Sequence, residues 1–222
     1  MIPSTIPSTI PGLNPSSAGL GLPGCILYYD MSESGSILTD LSGNGYNGKV
    51  TGCLQVAGPV SGKVRRWAAG SSILCYPRTS AVDHTFEFWM VPTIGTVMAL
   101  FDCQTGRIIP QITADSTPAY YDTLGGVANY DDINIGDGIW THLVWVCRSG
   151  VSNKMYFDSV EWPGTVPPGA VKIGGTSRVG WYYDSSTGQF IGDMAIVRIY
   201  ERALSATEVL GLWNADHAKF GI

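Results

Sequence analysis

The sequence has little charge, and the charge that it has is slightly acidic. Only 14% of its 222 residues are Asp, Glu, Lys or Arg, and 18 acidic against 13 basic residues give a net charge of −5. Such a chain lacks the basic field that neutralises nucleic-acid phosphates or attracts anionic lipid headgroups. We therefore expect neither a nucleic-acid partner nor a membrane partner.

Long apolar runs and a secretory signal are also missing. No stretch of 18 apolar residues is present that could cross a bilayer as a helix. The first residues carry no basic cluster, and prolines interrupt them at short intervals, so they do not look like a signal peptide. We expect a soluble protein that is not secreted through a signal peptide.

Paired-cysteine motifs are absent as well. The five cysteines stand at 25, 53, 75, 103 and 147, so none of them forms a Cys-x-x-Cys motif for zinc or redox chemistry. Cys75, Cys103 and Cys147 lie in apolar stretches, where a thiol behaves as a small hydrophobic group. The prediction is a set of free and mostly buried thiols.

Glycine and proline, in contrast, are abundant, with 28 and 13 residues. They separate short stretches that are rich in β-branched and aromatic residues, which predicts an all-β domain over residues 25–222. The predicted strands are Cys25–Tyr29, Trp67–Ala69, Ser72–Tyr76, Phe86–Val91, Thr96–Cys103, Arg107–Ile112, Gly126–Tyr130, Thr141–Arg148, Lys154–Phe157, Ala170–Ile173, Ser177–Tyr182 and Phe190–Tyr200.

One short helix is predicted near the C-terminus. Ser205 and Glu208 have the spacing of a capping box, and an apolar stretch follows them. Thr141–Arg148 alternates between two apolar faces, which predicts an inner strand that is covered on both sides. We expect the helix to cover one end of the sandwich.

Residues 1–24 form an extended, proline-rich arm. Ile-Pro-Ser-Thr occurs at 2–5 and again at 6–9, and proline at every fourth position excludes a helix. Such a segment buries too little apolar surface to order itself. We expect it to lie on a neighbouring chain, or alternatively on its own domain, anchored by Ile2, Pro3, Ile6, Pro7, Ile10 and Pro11.

Four segments resemble the laminin-G-like, or concanavalin A-like lectin/glucanase, jelly roll, a domain also found in phage and virus structural proteins. They are Asp40–Gly48, Thr85–Met90, Trp140–Trp145 and Gly192–Ser205. The resemblance covers about residues 25–216 and implies a two-sheet antiparallel sandwich with neighbouring first and last strands.

Glycosidases of this fold need two carboxylates on one strand face. Glu87 is the only acid on the corresponding strand here, because Trp89 and Val91 occupy the next two positions on its face. We therefore predict that the protein is not an enzyme and that Glu87 is a paired structural residue.

Relatives of this kind often bind calcium near the turn that Asp40 and Asn44 occupy, with a further acid from a late strand. Ala195 stands where that acid is expected, and Asp193 is the substitute on the same strand face. We expect no cofactor, and Asp40, Asn44 and Asp193 are the one candidate calcium site that the resemblance implies. The alternative is that Asp40 and Asn44 only close a turn.

Two clusters of aromatic and acidic residues are candidates for binding a glycan or a protein partner. The first is Tyr120, Tyr121 and Asp122. The second is the run from Trp181 through Tyr182 to Asp184, in which Trp181, Tyr183 and Asp184 are the predicted binding residues. Alternation along a strand places at least one aromatic residue of each cluster in the core, so packing is the alternative role.

These observations lead to two hypotheses. The first is a non-enzymatic virion structural protein, a capsid decoration, cement or fibre-attachment subunit. It would assemble in the host cytoplasm, be displayed on the virion surface within an oligomer or particle, and bind other virion proteins through residues 1–24. The alternative is a carbohydrate-binding module for host-surface or extracellular glycans.

Overall fold

The structure is a computed structural model. It describes residues 22–222 except 61, 104–107, 115–116, 123–125, 130–134, 137, 152, 164–172 and 183–187, and it describes the backbone alone at 108, 120–122 and 126–129. The arm-anchoring residues predicted above, Ile2, Pro3, Ile6, Pro7, Ile10 and Pro11, lie outside the described residues.

The described chain is mostly β-strand. The strands are β1 (Cys25–Asp30), β2 (Ile37–Leu38), β3 (Gly48–Thr51), β4 (Leu54–Ala57), β5 (Lys63–Trp67), β6 (Ser72–Cys75), β7 (His84–Pro92), β8 (Met98–Ala99), β9 (Phe101–Cys103), β10 (Ile108–Ile112), β11 (Pro118–Asp122), β12 (Gly126–Asn129), β13 (Thr141–Cys147), β14 (Lys154–Phe157), β15 (Val160–Glu161), β16 (Ser177–Val179) and β17 (Gly192–Tyr200). Helix α1 (Ala206–Asp216) and a 3-10 turn (His217–Lys219) follow.

The strands form an antiparallel sandwich, which confirms the predicted fold class. One layer is a sheet in the order β15-β14-β13-β7-β17-β5-β4, with β1 pairing the same edge of β17 as β5 does. The other layer contains the sheets β2-β3-β6-β16-β9 and β12-β11-β10-β8. The first and last strands are neighbours, as the resemblance implied.

The sequence located the long strands well and the short ones poorly. Lys154–Phe157 was predicted to the residue, whereas Trp67 ends a strand instead of beginning one. The short strands β2, β3, β4, β11 and β15 were not predicted, because a few residues give too little alternation. Ala170–Ile173 was predicted as a strand, but most of it lies outside the described residues.

The first of these sheets, called here the large sheet, is buried on both faces only along its central strands β7, β13 and most of β17. Its inner face packs against the other layer through Phe86, Phe88, Leu143 and Trp145, which are at most 1% exposed. All seven residues of β13 are buried, which confirms the prediction of an inner strand. Cys75, Cys103 and Cys147 are buried and form no disulfide bond, as predicted.

Helix α1 begins with the predicted capping box, in which Ser205 and Glu208 bond each other's backbone amides. The helix does not cover an end of the sandwich, however, but lies on the outer face of the large sheet, with Val209 and Leu212 packed among residues of β13 and β17. No described helix is long and apolar enough to span a membrane.

Candidate binding groove

The outer face of the large sheet is divided into a closed half under α1 and an open half beside it. In the open half, strand register aligns five side chains on one face. Leu54 pairs with Arg66, Arg66 with Asp193, and Asp193 with Val91. Trp140 comes next, because Thr141 pairs with Met90. We call these five residues the cross-strand row.

An exposed ion pair occupies the centre of the cross-strand row. Arg66 donates from Nε to Oδ1 of Asp193 at 2.8 Å and from Nη2 to Oδ2 at 2.9 Å. The side chains are 57% and 16% exposed, so both remain in contact with solvent. The hydrogen bonds and negative charge of Asp193 raise the pKa of Arg66, which favours the charged form of the guanidinium.

Apolar groups stand at both ends of the cross-strand row. Leu54 is 65% exposed on the edge strand β4. Trp140 is half-buried, and its ring packs against Phe220 with a centroid distance of 4.7 Å. This contact fixes the indole at the border with the closed half. The row therefore places polar groups between two apolar surfaces.

The row lines a cleft of about 630 Å³. A second cleft of about 540 Å³ continues from it, because Ile191 lines both. Ala69, Thr96, Val97, Tyr182, Gly188 and Gln189 line this second cleft. Together the two clefts form a groove, named here the end groove, at the end of the sheet where β7 and β5 end and β17 begins.

The tyrosine of the second cleft is held in place by its neighbours. The Tyr182 hydroxyl hydrogen-bonds to Oε1 of Gln111 on β10. Gly188 has a φ of +71°, and a side chain there would collide with the Tyr182 ring. Gln189 accepts a hydrogen bond from the amide of Gly70 at 2.6 Å. These contacts present a fixed aromatic surface to the end groove.

The closed half contains a buried ionic network. Oε1 of Glu87 accepts a hydrogen bond from Arg198 at 2.8 Å and lies 3.2 Å from Nε2 of His142. The Tyr200 hydroxyl donates to Oε2 at 3.4 Å. Arg198 also donates to Asp216 of α1 at 2.8 Å. Glu87 is thus a paired structural residue, as predicted.

Neighbouring opposite charges outweigh the effect of burial on the pKa values of Arg198 and Asp216. Burial alone would lower the pKa of Arg198, but the carboxylates of Glu87 and Asp216 raise it well above its ordinary value. Burial likewise favours the neutral form of Asp216, yet Arg198 and Lys219 lower its pKa. Arg198 and Asp216 therefore both remain charged beneath α1.

The two carboxylates of this network, Glu87 and Asp216, are not accessible from solvent. Glu87 and Asp216 are 0% and 1% exposed, and the guanidinium of Arg198 lies between them. A glycosidase needs two carboxylates that reach opposite sides of a bound sugar. Neither of these carboxylates is open to a substrate in this arrangement.

The residues proposed for calcium do not form one site. Asp40 is 5% exposed and accepts backbone hydrogen bonds from Tyr28, Ser42 and Tyr46, each at 3.0 Å. Asn44 directs its amide nitrogen at the Cys25 carbonyl at 3.2 Å. Backbone N–H donors thus occupy the Asp40 carboxylate, so Asp40 and Asn44 close the turn internally.

Asp193 is far from that turn. The turn is tied to Tyr28, which pairs with Arg198, and Asp193 precedes Arg198 by five residues, or roughly 16 Å along β17. No group of three or more His, Cys, Asp or Glu side chains within the described ranges could hold a metal ion. The three residues thus do not fit the predicted calcium site, because Asp193 belongs to the cross-strand row.

The aromatic clusters predicted from sequence have mixed positions. Trp181 is half-buried, and the guanidinium of Arg178 lies 5.1 Å from its ring centroid. Tyr183 and Asp184 lie outside the described residues. Tyr120, Tyr121 and Asp122 belong to β11, where only the backbone is described.

The groove residues that the sequence analysis missed are Leu54, Arg66, Trp140 and Tyr182. The sequence contained two indications of these residues. Trp140 begins one of the four family-like segments, and Tyr182 lies inside the second aromatic cluster. The alignment of Arg66 with Asp193 depends on strand register, which those indications do not contain.

Three solved structures illustrate what this fold resembles. The binding domain of Paraclostridial Mosquitocidal Protein 1 is 20% identical with a TM-score of 0.66, covering 86% of this chain and 52% of that one. Domain 4 of the extracellular arabinanase AbnA from Geobacillus stearothermophilus, in complex with arabinotriose, is 20% identical with a TM-score of 0.67, covering 85% and 97%. A sialidase from Trypanosoma rangeli is 11% identical with a TM-score of 0.67, covering 95% and 36%. This chain therefore spans about half of the mosquitocidal domain and about a third of the sialidase.

No protein with a curated description has a significantly similar sequence. A family model does match, that of the concanavalin A-like lectin/glucanases superfamily, over residues 71–210. The match extends over more than half of the chain and confirms the resemblance inferred from the four segments. Together with the antiparallel sandwich and its neighbouring terminal strands, it establishes that the chain belongs to the concanavalin A-like lectin/glucanases superfamily.

Proposed function

We propose that this protein is a carbohydrate-binding domain that holds its ligand in the end groove. The observation that carries this proposal is the exposed Arg66–Asp193 pair between the apolar groups Leu54 and Trp140. Sugars present apolar C–H faces and polar hydroxyl edges. An aromatic surface beside fixed donors and acceptors suits both parts of such a ligand.

The protein binds without catalysis under this proposal. Glu87, the acid on the strand where glycosidases of the fold carry theirs, is buried beneath α1. The arabinanase domain named above was solved in complex with arabinotriose, and the mosquitocidal relative is a binding domain, and both support a binding role.

Carbohydrate binding, the alternative drawn from the sequence, thereby replaces the virion structural role as the leading proposal. The virion hypothesis depended on residues 1–24, of which 1–21 lie outside the described residues. None of the three solved structures named above is a virion protein.

The first test is a glycan-array screen of the full chain, followed by titration calorimetry on the best ligand. Trp140→Ala should weaken binding by at least about tenfold, because buried aromatic contacts dominate binding free energies. Tyr76→Ala is the matched control, since Tyr76 is 50% exposed and does not line the end groove.

The fold of each variant is checked by its thermal unfolding transition. Binding that is unchanged in a folded Trp140→Ala variant would overturn the assignment of the groove. A protein that binds no saccharide on the array would overturn the proposed function itself.

A further inference from the structure

We infer that the end groove selects a neutral oligosaccharide and discriminates against acidic glycans, with the Arg66–Asp193 pair as the determinant of that selectivity. This inference rests on the proposed function, and it adds the charge and the length of the ligand. Three properties of the groove support it: its hydrogen-bonding pattern, its charge and its length.

The first property is the hydrogen-bonding pattern of the ion pair. Its bidentate contact uses Nε and Nη2 of Arg66 and both carboxylate oxygens of Asp193. The outer N–H groups of Arg66 and the outer lone pairs of Asp193 stay available to solvent. The pair thus offers donors and acceptors side by side, and adjacent sugar hydroxyls, which both donate and accept, complement it.

The second property is the absence of net charge. Among the described residues that line the end groove, Arg66 and Asp193 are the only charged side chains. A ligand carboxylate would gain from Arg66 but would be repelled by Asp193 a few ångströms away. It would also lose hydration without a dedicated partner. An acidic sugar therefore gains nothing here that a neutral sugar lacks.

The third property is the length of the groove. The cross-strand row crosses five neighbouring strands, which places Leu54 and Trp140 roughly 19 Å apart. The second cleft extends the binding surface from Ile191 towards Tyr182. A single sugar ring would occupy only part of this surface. A chain of sugars can contact Trp140, the ion pair and further apolar surface at the same time.

The test measures affinity for two matched sets of probes by titration calorimetry on the full chain. The neutral set contains arabinotriose, cellotriose, maltotriose and galactotriose, each beside its monosaccharide. The acidic set contains trigalacturonate, which is the charged counterpart of galactotriose, and sialyllactose beside lactose. We expect the tightest probe to be a neutral trisaccharide that binds at least tenfold more tightly than its monosaccharide.

A charge-altering variant tests the determinant directly. Asp193→Asn retains the size of the side chain but leaves the positive charge of Arg66 uncompensated. We expect its affinity for trigalacturonate to rise at least tenfold, and this gain should shrink as ionic strength increases. Arg66→Met is the matched control, and it should bind trigalacturonate no better than the unmodified protein does.

The outcomes separate the inference from the proposed function. If an acidic trisaccharide binds most tightly, or a monosaccharide binds as well as its trisaccharide, the inference fails and carbohydrate binding stands. If Asp193→Asn remains folded but gains no affinity for trigalacturonate, the ion pair is not the determinant of selectivity. If the unmodified protein binds none of the probes and nothing on the glycan array, both proposals fail.

Discussion

The two halves of the large sheet's outer face contain the same kind of ion pair in opposite surroundings. In the closed half, β17 contributes Arg198 to the Glu87 carboxylate on its neighbour β7, and both side chains are at most 3% exposed. In the open half, β17 contributes Asp193 to Arg66 on its neighbour β5, and Arg66 is 57% exposed.

The difference shows that burial decides what a cross-strand ion pair can do. A buried pair must satisfy its hydrogen bonds internally, so it fixes the position of the element above it, here α1 through Asp216. An exposed pair contributes little to stability and keeps donors and acceptors for a ligand. The first pair therefore serves the fold, and the second can serve binding.

The largest expected effect on stability comes from removing Arg198, the cation of the closed half. Removing Arg66, the cation of the open half, is the comparison. Arg198→Met leaves the buried Glu87 without its guanidinium partner and Asp216 with Lys219 as its remaining partner, and it should lower the free energy of unfolding by about 3–5 kcal/mol. Arg66→Met should lower it by less than about 1 kcal/mol. Urea denaturation of both variants measures the difference, and equal losses would break the comparison.

A smaller effect is expected at Gly192, which borders the end groove. Its φ is +135°, and an added Cβ would lie 2.1 Å from the carbonyl oxygen of Val91. Gly192→Ala should therefore strain the pairing of β17 with β7 and lower the free energy of unfolding by about 1–3 kcal/mol.

Gly43→Ala is its control, because Gly43 also has a positive φ, +88°, but an added Cβ there meets no atom within 4 Å. Urea denaturation should show the larger loss for Gly192→Ala. Similar losses would mean that the backbone angle, and not the close approach of the two strands, accounts for the effect.

The smallest expected effect on stability concerns the start of α1, the helix that covers the closed half. Hydrogen bonds from Arg202 hold the pKa of Glu208 at about 2, below its ordinary value of 4.5. The contribution of Glu208 to stability is therefore complete above pH 4.5 and is lost as the pH falls towards 2. Glu208→Gln should lower the free energy of unfolding by about 1 kcal/mol at neutral pH.

Urea denaturation of both proteins across this pH range measures the effect. The stability curves of Glu208→Gln and the unmodified protein should converge near pH 2. Curves that remain parallel would show that the charge of Glu208 does not stabilise the start of α1.

Features that depend on neighbouring residues were predictable from the sequence. The capping box at Ser205 needs only residues three positions apart, and the assignment of Glu87 as a paired residue followed from the apolar residues Trp89 and Val91 on its strand face. The fold class followed from four segments in the right order. In each case the signal lies within a few consecutive residues.

The end groove was not predictable in this way. Leu54, Arg66 and Asp193 come together only through the register of strands that are distant in sequence. Asp193 was assigned to a calcium site because its strand face was known but its cross-strand partner was not. The position of α1 was also wrong, since an apolar helix face shows that the helix packs but not against which surface.

The contact between Phe220 and Trp140 has a practical consequence for experiments. Because these rings touch, Phe220 helps to hold the indole at the border of the end groove although it does not line the groove itself. Cutting the chain before Phe220 would therefore weaken ligand binding indirectly, by releasing the Trp140 ring. A binding assay on a shortened chain would then report the packing of this contact as well as the groove.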